Sequence, residues 1–495
     1  MAAMKLACVY KGILVSALAL AVCKCCDAQA FSGTTKCAPF SKGQKPSDDL
    51  LLHPTNNQIS KKSLDEMRAA SRVCLPAPGQ NLEAYSGYIP VDEGSHSSYM
   101  FFLHIKSEEK RVKKPLLLWL QGGPGKSALF GQFLENGPLG IGVANNLYRR
   151  EHSLLKQFNI IYLDQPVGAG YSFDRKGKYS TSLEEVSIHL MKFLRRFLRI
   201  FPEYKGSDFY IAGESYGARS AVGLANKVLT RTPEELPLRF KGVMLGVAFL
   251  FPLLDIVNSA DYLYCAGLLD DHGRELFAGR FSMIQKLVSA KQYKNAAGLL
   301  SQTVFNLQVQ GQHSLFTNLT GFLDHGSITS PQKPREVSAY YRYANSPEFK
   351  QRIHVRSSRT LDGTRFQMAM QLALNDFFVD QRAVFVDVLN RVPVLFYTAQ
   401  LDAVFPAVNI YRSFKKLQWR WSEAFNKTQR TPWYRKNKPS LGLLGYLKKV
   451  GTLMYATVLF GGHHISLDRS AAVSELYGHF VTFTNQLPST SQQKV

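Results

Sequence analysis

Short apolar runs, each bounded by polar or turn-forming residues, recur along the chain and set its predicted architecture. YSGYIPV (85–91) and SYMFFLHI (98–105) read as an antiparallel pair. After them come PLLLWLQ (115–121), FNIIYLD (158–164), DFYIAG (208–213), FKGVMLG (240–246), VPVLFYT (392–398) and LMYATVL (453–459). The later runs are apolar nearly throughout, the signature of strands buried on both faces. Between them the pattern takes the period of a helix. TSLEEVSIHLMKFLRRFLRIF (181–201) keeps an apolar stripe through Leu190, Leu194, Phe197 and Phe201, opens on a capping box of Thr181 and Glu184, and stops at Pro202. AAVSELYGHFVTFTNQL (471–487) reads as a terminal helix. Strands alternating with helices predict an α/β fold, with a mostly parallel central sheet and helices on both faces. The alternation breaks between Gly246 and Val392, where helical patterns such as GRELFAGRFSMIQKLVSAKQYKNAAGLL (273–300) crowd together. Long insertions after strand ends are where lids and binding surfaces sit, so a helical cap is expected over 251–345. The core then falls into two parts, 31–250 and 346–495.

One strand runs straight into GESYG (213–217). A serine between two glycines at a strand end fits a nucleophile elbow, where strand turns sharply into helix and lifts the serine hydroxyl into a cleft. Such a serine needs a general base and an acid to orient it, and in this fold class the chain order is serine, acid, histidine. VPVLFYTAQLDAVF places Asp402 just past a later strand, and LMYATVLFGGHHISLD places His463 or His464 just past the last one. The C-terminal ends of parallel strands share one sheet edge, so Ser215, Asp402 and a histidine converge there. WLQGGPG (119–125) supplies a glycine turn whose bare N–H groups, with that of Tyr216, suit an oxyanion hole.

Composition changes this picture at the termini and the surface. The 495 residues are 45% hydrophobic, enough for a large core, and no repeat or low-complexity run interrupts them. Lys5 and Lys11 precede the apolar GILVSALALAV (12–22), the pattern of a secretory signal, with small-residue cleavage sites after Ala21 or Ala30. No later run reaches the length of a membrane helix. The seven cysteines are Cys8, Cys23, Cys25, Cys26, Cys37, Cys74 and Cys265, of which cleavage after Ala30 leaves three. The CKCC cluster has no partner spacing for zinc, and neither metal nor cofactor is expected. Sequons at Asn318 and Asn426 agree with secretion. The formal net charge is +23, and much of it lies between Tyr411 and Lys449, where Glu423 is the only acid. No nucleic-acid motif accompanies this segment; it reads as a solvated basic face on an insertion, with at most weak, salt-sensitive binding to anionic surfaces.

PLLLWLQGGPGKSALFGQFLENGPL, FNIIYLDQPVGAGYSF, FYIAGESYG, VLFYTAQLD and FGGHHISLD, taken in order, resemble the signature blocks of the serine carboxypeptidases, most nearly the vitellogenic-like ones. The resemblance covers roughly Tyr85 to Leu487. It implies an α/β-hydrolase fold and hydrolysis of C-terminal peptide bonds through an acyl-enzyme, without a cofactor, in a secreted or lysosome-like setting. It also implies Ser215 as nucleophile, Asp402 as orienting acid, His463 as base, and the N–H groups of Gly123 and Tyr216 as oxyanion donors. The substrate's free carboxylate would be held around Gly122 by Gln121, Glu135 and Glu214, with Trp119 in support. Three carboxylates in one pocket would force a proton onto a glutamate, and so a mildly acidic optimum. The chain departs from the family at Lys126, in GARSAVGLA after the elbow, in GVAFLFP (246–252) and in GHHISLD, which lacks the usual prolines and sets His464 beside the base. Two other readings stay open on the same residues: an idle relative that binds or stores, and an acyltransferase.

Overall fold

Each apolar run that reads as a strand forms one. The structure is a computed structural model that describes residues 48–487, apart from 56–58, 95, 110–111, 306–312, 363–364 and 436–441. The expected signal segment (1–30) and the cysteines up to Cys37 lie outside the described residues. Nine strands carry the sheet: β1 (Ala84–Pro90), β2 (Ser98–Ile105), β3 (Leu116–Leu120), β4 (Asn159–Leu163), β5 (Asp208–Glu214), β6 (Arg239–Gly246), β7 (Val394–Ala399), β8 (Leu443–Val450) and β9 (Leu453–Val458). Their spatial order is β1-β2-β4-β3-β5-β6-β7-β9-β8, with short strands added at Arg72–Val73 and Thr431–Tyr434 on the two edges. From β4 to β9 every neighbouring pair is parallel. The outer pairs β1–β2, β2–β4 and β8–β9 are antiparallel.

Parallel strands need covering on both faces, and the pleat divides β3 between two cores. Leu116, Leu118 and Leu120 join the cluster that holds Phe193 and Leu194 of α1 (Leu183–Ile200) and Val222 of α2 (Gly217–Val228). Leu117 and Trp119 join the opposite cluster with Leu476 and Phe480 of α3 (Ser470–Gln486). Each leucine or phenylalanine so buried contributes about 1.5–3 kcal/mol. From Gly246 to Val394 the described residues form no strand; helices such as Asp271–Ser289, Arg335–Ala344 and Phe366–Asn375 fill the interval.

Two expectations shift. The cap of α1 is Ser182, whose hydroxyl accepts from Glu185 N–H at 3.2 Å, while the Glu185 carboxylate accepts from Thr181 N–H at 3.1 Å. The box lies one residue later than Thr181 and Glu184, because Ser182 is the extended residue that precedes the first turn. The basic segment is also no mere surface insertion: its apolar residues build the sheet edge. Phe414, Leu417, Phe425, Trp433, Leu444 and Leu447 are all buried, and β8 pairs with β9 along its length. Lys448 is buried as well, donating to Tyr411 Oη at 3.0 Å and to Phe425 O at 2.9 Å.

Burial makes β2 a pH sensor for stability. His104 is fully buried, donates Nδ1–H to Ile160 O at 2.9 Å and accepts at Nε2 from Tyr204 Oη at 2.8 Å. Desolvation lowers its pKa to about 3. The unfolded chain takes up this proton near the ordinary value of 6.5 and the folded chain does not, so stability falls as pH drops below 6.5. At pH 5 the loss from this residue is about 2 kcal/mol. Urea unfolding at pH 7 and pH 5 checks it: in His104→Gln the difference between the two pH values shrinks by about that amount.

Candidate active site

The sequence after β5 forces an abrupt turn. Ser215 has φ of 54°, in the left-handed region, before α2 begins at Gly217. A serine held there costs on the order of 1–3 kcal/mol, which the surrounding packing must offset. The flanking glycines are steric requirements. A Cβ on Gly213 would lie 2.4 Å from Gly217 O, and one on Gly217 would lie 2.2 Å from Leu120 O. The serine's own N–H donates to Gly246 O at 2.9 Å and its carbonyl accepts from Phe249 N–H at 3.2 Å, which fixes the turn against the end of β6.

Three of the expected residues meet here. Ser215 Oγ lies 3.0 Å from His463 Nε2, and His463 Nδ1 lies 2.9 Å from Asp402 Oδ2. Asp402 is fully buried, and its Oδ1 accepts from the N–H groups of Val404 and Phe405 at 2.8 and 3.0 Å. A carboxylate only accepts, so Nδ1 carries the imidazole proton and Nε2 is left to accept from the serine hydroxyl. This arrangement can withdraw a proton from Ser215 as it attacks a carbonyl. Among the described residues neither Gly123 N–H nor Tyr216 N–H donates to a protein acceptor, so both are free for an oxyanion. Ser215, Gln121, Gly122, Gly123 and His463 line one cavity of about 270 Å³.

The expected carboxylate-binding residues form a second layer. Trp119 Nε1–H donates to Gln121 Oε1 at 2.9 Å, and Gln121 Nε2–H donates to Glu214 Oε2 at 3.0 Å. Glu135 ends a single π-helical turn, Gly131–Glu135, and is fully buried against Glu214. Burial first, and then the neighbouring Glu214, push the Glu135 carboxyl well above the usual range; burial raises Glu214 as well. Ionising both members of so buried a pair is therefore disfavoured, and one of the two carboxyls retains a proton more readily than an isolated glutamate does.

Two departures from the family pattern meet at this layer. The His464 ring places Nδ1 3.3 Å from Glu135 Oε1 and 3.8 Å from Glu214 Oε2. Its Nε2 accepts from the Lys126 ammonium at 3.0 Å. His464 is thus in the middle of the site rather than peripheral to it. Burial, then Lys126, depress its pKa well below 6.5 and keep it neutral. Glu135, Glu214 and His464 bring possible ligand atoms within 4.8 Å of one another. With Nε2 accepting from Lys126, the neutral imidazole carries its proton on Nδ1, so the His464 atom that faces the two glutamates has no lone pair to offer a cation. A third departure, GARSAVGLA, gives Arg219, whose Nε pairs with Asp376 Oδ2 at 2.8 Å. Tyr216 Oη–H donates to the same oxygen at 2.7 Å, tying the elbow to the helical interval. Nothing in the local sequence pattern around Asp376 marks this role.

The family model described as serine carboxypeptidase matches residues 76–483. The chain belongs to the serine carboxypeptidase family. It is 30% identical over 408 residues to the probable serine carboxypeptidase CPVL of Mus musculus, covering 82% of this chain and 84% of the relative. It is 31% identical over 427 residues to the vitellogenic carboxypeptidase of Aedes aegypti, covering 85% and 87%. A solved prohormone-processing carboxypeptidase from Saccharomyces cerevisiae superposes with a TM-score of 0.70 at 18% identity, over 84% of this chain and 96% of that one. The fold is the α/β-hydrolase fold of these serine carboxypeptidases. Among the described residues no helix is long and apolar enough to cross a membrane.

Proposed function

We propose that this serine carboxypeptidase hydrolyses the last peptide bond of peptides with a free C-terminus through an acyl-enzyme on Ser215. The observation that carries the reading is the unbroken relay from Ser215 Oγ through His463 to the buried Asp402, opening into a cavity beside two uncommitted N–H groups. Ser215 attacks the scissile carbonyl as His463 takes its proton. The oxyanion is held by Gly123 and Tyr216, and the proton passes to the leaving amine. Water, deprotonated by the same histidine, then releases the shortened peptide. A cavity of about 270 Å³ is at the small end for ligand pockets, which suits one terminal residue better than a chain passing through.

Entry into the secretory pathway is part of the proposal. The N-terminal apolar segment supports it, as do the exposed sequon residues Asn318 and Asn426 and the disulfide at Cys74. Cys265 is a free, exposed thiol. The activity is tested by incubating the protein with a defined peptide and following its mass. Stepwise loss of single C-terminal residues, stopped by prior treatment with a fluorophosphonate, is the expected result. Release of the C-terminal residue only when an alcohol is added, with the shortened peptide recovered as its ester, would favour the acyltransferase reading.

A further inference from the structure

As the side chains stand, the acid pair is closed off from the cavity that holds Ser215. Both Glu135 and Glu214 are fully buried, and both oxygens of Glu135 are without solvent access. Neither residue lines the cavity that holds Ser215. What lines it at that end is Gln121, Lys126 and His464. The imidazole of His464 stands between the acid pair and Lys126, with Nδ1 towards Glu135 and Nε2 accepting from the lysine. A pair that retains one proton still carries one negative charge, which repels an incoming carboxylate.

We propose that Lys126, steadied by His464, receives the C-terminal carboxylate of the peptide, and that the buried glutamates serve behind it as the counter-charge that holds the lysine in place. The proposal rests on the carboxypeptidase reading of the same site. An ammonium has three donors, and His464 Nε2 takes one of them. Among the described residues His464 Nε2 is the hydrogen-bond partner of the ammonium, so donors remain for a ligand. Its Nζ also sits 4.8 Å from the centre of the Phe130 ring, which walls it on the protein side. The lysine and the oxyanion donor belong to one turn, closed by Lys126 N–H donating to Gly122 O at 3.3 Å. The binding charge is therefore fixed relative to the reacting carbonyl. Because Nε2 of His464 accepts from the lysine, the histidine cannot itself present a donor on that side.

The charged and titratable groups around Lys126 are His464, Glu135, Glu214, Asp324, Lys333, His325 and His463. Burial, then Lys333, lower its pKa to about 8, against the pull of Glu135, Glu214 and Asp324. His325, lowered to about 3, stays neutral. Carboxylate binding then holds through neutral pH and fades near pH 8.

The test compares a free-acid peptide with its C-terminal amide in wild type, Lys126→Met and Lys126→Arg at pH 6.5. In Lys126→Met the free-acid to amide ratio of kcat/KM should fall at least about tenfold, chiefly through KM, as loss of a charge-assisted hydrogen bond does. Lys126→Arg should keep most of the preference. The wild-type profile gives a reading that needs no variant to fold: KM for the free acid should stay level from pH 5 to 7 and climb through about pH 8. An unchanged ratio in Lys126→Met, or a climb that begins between pH 5 and 6, overturns the proposal. A wild-type protein that no fluorophosphonate labels would instead remove the carboxypeptidase reading, and this proposal with it.

Discussion

Replacing Ser215 by alanine should leave a folded protein that releases C-terminal residues about 10⁴- to 10⁶-fold more slowly, the scale on which a triad nucleophile contributes. The fold should tolerate the change well. Alanine keeps the Cβ that the elbow already accommodates, and the left-handed backbone is held by Gly246 O and Phe249 N–H rather than by the hydroxyl. Unfolding by urea therefore serves as the control. Equal midpoints with a lost activity place the defect in chemistry, whereas a lowered midpoint would assign it to structure. Fluorophosphonate labelling should disappear in the same variant.

The adjacent histidines should separate by the parameter they change. His463→Ala removes the only group within hydrogen-bonding distance of Ser215 Oγ in the described structure, so kcat should fall about 10⁴-fold or more with KM little altered. His464→Ala leaves the relay from Ser215 to Asp402 intact and withdraws the support of Lys126, so its main effect should be on KM for free-acid substrates. Steady-state kinetics on both variants with one peptide decides it. A larger loss of kcat in His464→Ala than in His463→Ala would reverse the roles assigned here.

The parts of this design that the sequence reveals are those with local patterns. Strands β3 to β7 and β9 are apolar on both faces because helices cover both, so no alternation obscures them. The serine, acid and histidine each follow such a strand, and that is why their convergence is readable before any coordinate is known. β8 is not readable in the same way. Lys448 and Lys449 fall within it, and the segment's glycines and basic neighbours give it the look of a surface loop. Lys448 is nonetheless buried, because Tyr411 and Phe425 supply oxygens for its ammonium. The layer behind the nucleophile is legible only in part. Glu135 and Glu214 can be named from their motifs, but the distance from Lys126 to His464 joins positions 338 residues apart. Likewise, Arg219 meets Asp376 across 157 residues with no pattern to mark either partner. Contacts of this kind arise from tertiary packing and have no period along the chain.

Everything proposed for the site requires Ser215 to be the residue that is acylated during turnover. Peptide mass mapping after treatment with a fluorophosphonate, run beside an assay of C-terminal release, tests it most directly. One adduct per chain is expected, on the peptide that contains GESYG, with activity falling in step with its formation. An adduct at another residue, or C-terminal release that continues when Ser215 is fully modified, would contradict it.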